Sequence, residues 1–272
     1  MPQSSLLLHP KKPDKNGRIH NVTPRNAGWT YVGFEVYDLK KGMVVEKPTG
    51  KQEVCLVILS GKARIGAGKD KAFQDFGVLG ERKSVFDGAP WSVYVPAKSA
   101  YKITATTACQ IAVCAAPGTG KLPARVISPS EVGQQTRGKG SNTRYVRNIL
   151  PETEPAESLL VVEVITPGGN WSSYPPHKHD RDMLPVESYL EETYYHRLNP
   201  PSGFALQRVY TDDRSLDETL AAGDGDVVLV PKGYHPVGAP HGYDLYYLNV
   251  MAGPTRIWKF WNDPAHEWLM KA

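Results

Sequence analysis

Gly225-Asp226-Val227-Val228-Leu229-Val230-Pro231-Lys232-Gly233-Tyr234-His235-Pro236-Val237 reads as a strand, a tight turn and a histidine that returns to the strand's open end. Four aliphatics in a row, three of them β-branched, suit a strand buried on both faces. Pro231 ends the strand because it has no N–H for a ladder, and Gly233 supplies the turn. His235 is thereby delivered to the mouth of a β-structure.

The rest of the chain has the same texture. Strand-like runs fall in two sets. YVGFEVYDL, EVCLVILSGKARI, SVYVPAKSAYKITA and CQIAVCAA lie between Trp29 and Ala116; LLVVEVITP, LEETYYHRL, GFALQRVYT, GDVVLVPKGYHPV and YDLYYLNVMAG follow Arg144. The 25 glycines and 23 prolines are scattered between them, as turns between many short strands require. VYVPAKSAY echoes VLVPKGYH as strand, Pro, turn and ring, which points to a duplicated barrel. The expected architecture is all-β, two tandem barrels over 1–125 and 126–272. The Gly- and Pro-rich stretch 117–144 bridges them. Helical period is absent until WNDPAHEWLMKA, where one short helix is expected.

Composition narrows the function. The formal net charge of +4 is small, and the densest basic cluster, Lys11, Lys12, Lys15, Arg18 and Arg25, has no interleaved aromatic platform. It reads as a solvated terminal segment, and no nucleic-acid partner is expected. No apolar run is long enough to span a membrane, and Leu6 to Leu8 is too short for a signal-peptide core. Cys55, Cys109 and Cys114 sit in apolar runs without metal-type spacing, so free buried thiols in a cytoplasmic protein are expected. A Gly-rich dinucleotide loop of the GxGxxG kind is absent, which argues against nicotinamide chemistry.

Three further residues join His235. In PPHKHD, His177 and His179 share one face of a strand because side chains alternate with period two. Two imidazoles side by side make a metal clamp. In LEETYYHRL, the adjacent Glu191 and Glu192 face opposite sides of an otherwise apolar and aromatic strand. An inward carboxylate there needs a cationic partner.

This set resembles the cupin pattern: Gly, then His-x-His, a Glu opening the next strand, and a later Gly, five residues, Pro-x-Gly and His. Here it is Gly169, His177, His179, Glu192, Gly225, Pro231, Gly233 and His235. The gap between the histidine pair and the glutamate is longer than usual, which implies an inserted loop, and the last turn is one residue shorter. Glu192 is chosen over Glu191 because the pattern's ligand is followed directly by the apolar strand. The segments GWTYVGFEVYDL, TGKQEVCLVILSGKA, SSYPPHKHD, 190–219 and 225–269 closely resemble the 5-deoxy-glucuronate isomerases of bacterial myo-inositol catabolism. The 4-deoxy-L-threo-5-hexosulose-uronate ketol-isomerases of pectin breakdown are similar in layout.

The resemblance implies a bicupin (jelly-roll) enzyme that interconverts 5-deoxy-D-glucuronate and 5-dehydro-2-deoxy-D-gluconate. Its partner is a small sugar acid. The first barrel has Tyr101 where a ligand histidine would stand and no His-x-His before Glu53. It is therefore expected to be structural, with a role in packing or in a homo-oligomer, leaving one divalent metal per chain. The ligands suit zinc, manganese, iron or nickel; zinc or manganese is favoured. His196 and Tyr194 share the face of Glu192. His196, Tyr247 and Lys232 are candidate acid/base groups, and Tyr194 and Arg208 are candidate substrate contacts. A metal-dependent dioxygenase and a non-enzymatic sugar-acid-binding cupin are the competing readings.

Overall fold

Short alternating strands bury one face each by pairing sheets, and the chain does this twice. The computed structural model describes residues 4–271. One compact unit comprises Pro10–Gly133 and Asn148–Val161. The other comprises Gln134–Arg147, the chain from Val162 onward, and the N-terminal segment ending at His9.

In the first unit a six-stranded sheet runs Arg125–Ile127, Ser92–Val95, Gln52–Ser60, Cys109–Pro117, Gly33–Leu39, Arg18–Val22. A four-stranded sheet runs Val44–Pro48, Ala100–Ala105, Ala63–Gly68, Gln74–Leu79. Leu56, Ile58, Val93, Val95, Ile103 and Ile111 are among the side chains of its core. Burying each stabilises the unit by roughly 1.5–3 kcal/mol.

In the second unit the larger sheet runs Leu7–Leu8, Val227–Val230, Glu191–Asn199, Asp244–Ala252, Leu160–Thr166, Arg144–Leu150, Gly133–Arg137. The smaller runs Trp171–Ser172, Val237–Gly238, Phe204–Tyr210, Asp217–Gly223. The two orders correspond strand for strand, apart from one added edge strand, so the sequence echo is a duplicated jelly roll. The core draws Val162, Val164, Tyr194, Val228 and Tyr247 from one sheet and Ala205, Val209, Leu220 and Val237 from the other.

The units do not divide at 125/126 as expected. The strand Val227–Val230 needs a partner on its free edge, and Leu7–Leu8 supplies it in the register Leu7↔Val228, Leu8↔Val227. The N-terminal segment is thus a structural strand of the second unit, while the basic stretch after it remains exposed at Lys11, Lys12 and Lys15. A four-residue helix, Pro24–Ala27, lies where no helical period is present in the sequence. Thr23 caps it, Pro24 starts it and Gly28 closes it in the left-handed region. The expected terminal helix is present as a 3-10 helix, Pro264–Lys271. Among the described residues no helix is long and apolar enough to cross a membrane.

The three cysteines are free and buried. Burial pushes the Cys55 thiol up to about 12 and that of Cys109 to about 11, so both stay protonated and inert. In the first unit Val54 pairs with Val95, just before Pro96. In the second, Glu192 pairs with Val230, just before Pro231. The position matching Glu192 is therefore the apolar Val54, and Glu53 matches Glu191. Glu53 is fully buried and accepts hydrogen bonds from the Tyr94 hydroxyl (2.6 Å) and the backbone N–H groups of Glu157, Ser158 and Leu159 (2.8, 2.6 and 2.6 Å). Tyr101 packs in the core. In this unit the buried carboxylate ties neighbouring segments of chain together.

Candidate active site

Period-two alternation in Glu191–Asn199 turns Glu192, Tyr194 and His196 to one face, and Tyr194 belongs to the barrel core. Glu191 faces the other way, yet it too is buried, at 1% exposure. His177–Lys178 forms a short strand against Trp261–Asn262. The intervening Lys178 is 1% exposed and points into carboxylates: Asp180 at 2.7 Å, Glu187 at 3.4 Å and Asp212 at 3.4 Å. A buried ammonium needs such partners, and their pull fixes the ribbon that presents the two histidines. His235 is placed by the turn after Pro231. Tyr210 and Tyr234 exchange backbone hydrogen bonds of 2.9 and 2.8 Å there.

His179 Nδ1–H donates to the Leu190 carbonyl at 3.0 Å, and His235 Nδ1–H to the Gly233 carbonyl at 2.9 Å. Each bond fixes the ring and leaves Nε2 as the nitrogen that could ligate a metal. Both Nε2 atoms then face one oxygen, Glu192 Oε2, at 3.1 and 3.2 Å. His235 Nε2 is buried without a hydrogen-bond partner. His179 can donate a proton to that oxygen, but His235 Nε2, without such a bond, aims a lone pair at an anion, and that repels unless a cation sits among them. Ligands about 2.1 Å from one ion and at right angles stand about 3 Å apart, so the spacing fits a shared metal. The ligating atoms of His179, Glu192 and His235 all lie within 4.8 Å of one another. His177 stands beside this trio, its ring centroid 5.0 Å from that of His235, stacked on Phe260 at 4.5 Å.

Burial pushes His177 well below its ordinary range, helped by His235, His179 and the guanidinium groups of Arg144 and Arg137. His235 falls to about 4 through burial, against the pull of Glu192. His179 is raised: burial lowers it, but its hydrogen bond and charge interaction with Glu192 outweigh that. Neutral imidazole is the form that binds metal.

A cavity opens onto His177, lined also by Ser172, Ser173, Tyr194, Tyr247 and Asn249. The Tyr194 and Tyr247 rings lie 4.9 Å apart, and Tyr194 is 5.8 Å from His235. Ser173 Oγ hydrogen-bonds Tyr194 OH at 2.9 Å, and Ser172 Oγ bonds Tyr247 OH. Burial holds the Tyr194 phenol well above its usual value and pushes that of Tyr247 up to about 12. Both are neutral hydroxyls, each hydrogen-bonded to a serine.

Three sequence-based assignments need correction. His196 is buried beneath Tyr194 and Tyr247, its Nε2–H donated to Gln207 Oε1 at 2.9 Å. It does not line the cavity, and burial lowers its pKa to about 4. Arg208 projects from the outer face of Phe204–Tyr210, because Gln207 and Val209 take the inner one, and it forms a bidentate pair with Asp217 at 2.8 and 2.7 Å. Lys232 is exposed and lines a separate depression with Arg181 and Asp212. Two arginines outside those candidates, Arg137 and Arg144, line the site's own cavity. The available signal was their position at either end of the GKGSNT turn between two alternating runs.

The profile of the KduI/IolB family matches residues 6–269. The chain is 59% identical over 270 residues to the 5-deoxy-glucuronate isomerase of Geobacillus kaustophilus, covering 99% of this chain and 96% of that protein. It is 53% identical to the protein of the same name from Bacillus subtilis, covering 98% and 99%. Among solved structures, an IolB-like protein from Salmonella typhimurium LT2 superposes with a TM-score of 0.94 at 52% identity, covering 98% and 100%. Oxalate decarboxylase from Lactobacillus farciminis superposes with a TM-score of 0.68 at 14% identity, covering 100% and 92%, a likeness of fold alone.

Proposed function

Because the chain belongs to the KduI/IolB family, we propose that it is a 5-deoxy-glucuronate isomerase, an intramolecular oxidoreductase that turns an aldose acid into the ketose acid 5-dehydro-2-deoxy-D-gluconate. The observation that carries this reading is the whole-chain match to proteins of that name, combined with an intact buried His/Glu cluster beside an open cavity.

We assign His177, His179, Glu192 and His235 as the residues that would hold a divalent metal, zinc or manganese being favoured. Such an ion, when bound, supplies Lewis acidity to the sugar's carbonyl and neighbouring hydroxyl oxygens. The protein's own contribution is orientation and proton traffic. Tyr194 and Tyr247, held by Ser173 and Ser172, present neutral hydroxyls to the sugar oxygens. Tyr247 donates and recovers the proton that must move between them as the carbonyl changes carbon. The apolar wall of Val146 and Val164 keeps water sparse around that exchange.

The test is an isomerase assay on 5-deoxy-D-glucuronate with metal content measured on the same sample. Tyr247→Phe should lower kcat about 10²-fold and leave metal content unchanged. Turnover by Tyr247→Phe at the wild-type rate would remove Tyr247 from the mechanism. Absence of ketose product from metal-replete wild-type protein would overturn the isomerase reading itself.

A further inference from the structure

We infer that Arg137 and Arg144 together form the seat for the substrate's carboxylate. This rests on the isomerase reading, which makes the ligand a uronic acid. The strands Gly133–Arg137 and Arg144–Leu150 are neighbours in the larger sheet, joined through the 3-10 turn Gly140–Asn142. The last residue of one and the first of the next are therefore both arginine, at the same end of a hairpin, and both line the cavity of His177, Tyr194 and Tyr247.

Neither guanidinium is neutralised. Among the described residues no carboxylate pairs with either. Arg144 Nη1 donates to the backbone and side-chain oxygens of Asn142, at 2.9 and 3.0 Å, which leaves its other N–H groups for a ligand. Arg137 reaches only the Gln135 amide oxygen, at 3.3 and 3.2 Å, and lies over the Trp258 ring at 5.3 Å. Arg147, an odd number of residues on and so on the opposite face, shows what a satisfied arginine in this sheet looks like: it meets Glu163 at 2.9 Å. Burial lowers the pKa of both cavity arginines, and Arg137 further lowers that of Arg144. Two cations drawn together inside a wall without an anion form a site that an anion completes.

The placement suits the chemistry. A uronic acid carries its carbonyl and its carboxylate at opposite ends of one chain. With the carbonyl at the His/Glu cluster, the carboxylate would face the cavity wall that carries the two arginines. Gly138 guards that seat. A Cβ there would lie 1.9 Å from the Asn142 carbonyl oxygen and 2.7 Å from Arg144 Nη1, so glycine keeps the guanidinium in place.

The experiment uses two acids and one neutral analogue. Kinetics compare 5-deoxy-D-glucuronate with 5-deoxy-D-glucose, in which a primary alcohol replaces the carboxylate. Calorimetry uses the acid reduced at its aldehyde, which cannot turn over. Wild type should prefer the acid. In Arg137→Ala/Arg144→Ala, kcat/KM for the acid should fall about 10²-fold or more, mostly through KM, while that for the neutral sugar stays within about twofold. Binding of the reduced acid should weaken in parallel. Arg137→Lys and Arg144→Lys, which keep the charge and place less demand on the hairpin, should fall in between. Equal losses on acid and neutral sugar in folded variants, or unchanged KM and binding for the acid, would overturn the proposal. Should wild type fail to isomerise 5-deoxy-D-glucuronate yet bind the reduced acid through these arginines, the isomerase reading falls and the carboxylate seat stands.

Discussion

Gly233→Ala tests how the turn delivers His235. Gly233 has φ +89, where an L-residue is disfavoured by roughly 1–2 kcal/mol. The added Cβ would lie 2.4 Å from the Tyr210 carbonyl oxygen, against an ordinary contact of 3.4–4 Å. The turn must retreat by about an ångström, which weakens the two Tyr210–Tyr234 backbone bonds, each worth about 0.5–1.5 kcal/mol. The variant should therefore lose about 2–5 kcal/mol in urea unfolding. The same retreat moves His235 Nε2 from its place 3.2 Å from Glu192 Oε2, so metal affinity should fall at least about tenfold. The comparison with the first barrel is instructive. Lys98 occupies the matching position after Pro96 with φ +58, so this backbone shape does not by itself demand glycine. The demand at 233 comes from the Tyr210 oxygen. A Gly233→Ala protein with wild-type unfolding midpoint and full metal content would refute this account of the turn.

Other perturbations separate the remaining assignments. Glu192→Gln, like His177→Ala or His179→Ala, should strip the metal from a barrel that stays folded, whereas Glu191→Gln should keep most of it; elemental analysis should give one ion per wild-type chain, and a value near two would contradict the structural role of the first barrel. Chelator should stop turnover and added divalent ion restore it, and product made in heavy water should carry deuterium at the receiving carbon; unlabelled product would replace proton transfer by a hydride shift. Glu157 offers a pH test: burial raises its pKa, but hydrogen bonds from Thr119 and the backbone N–H groups of Thr119, Lys121 and Gly120 bring it down to about 2. A depressed folded-state pKa stabilises above the unfolded value and is lost as pH falls through the folded one. The stability gap between wild type and Glu157→Gln, at most about 1–2 kcal/mol after solvent screening, should be full at pH 6 and close towards pH 2; a gap independent of pH would refute it.

The cluster itself was legible because strand alternation is a strict rule. His177 with His179, and Glu192 apart from Glu191, follow from period two once a strand is granted. Alternation also separates Arg208 from Gln207, but it does not say which face is inward. That depends on the facing sheet, whose Val228 and Val230 meet the Ala205 and Val209 side. Lys232 was misjudged for a related reason: nearness to His235 in sequence is not nearness at a tight turn. The two cavity arginines were hidden by their setting, since a Gly-rich stretch between strands looks like a linker until its hairpin pairing is known. The 7–8 strand had no local signal beyond three leucines. Its partner is far along the chain, and only the unpaired edge of Val227–Val230 calls for it.

That distant pairing orders events during synthesis. Leu7 leaves the ribosome about 220 residues before Val228, roughly 10–40 s at about 5–20 residues per second. The strand that seals the second unit is thus made long before the strand it pairs with. The first unit is synthesised after that strand and before its partner. His9, just beyond it, then reaches Asp226 at 2.8 Å and pins the join. A change at Leu7 or Leu8 would accordingly be felt in the second unit and not in the unit next to it in sequence.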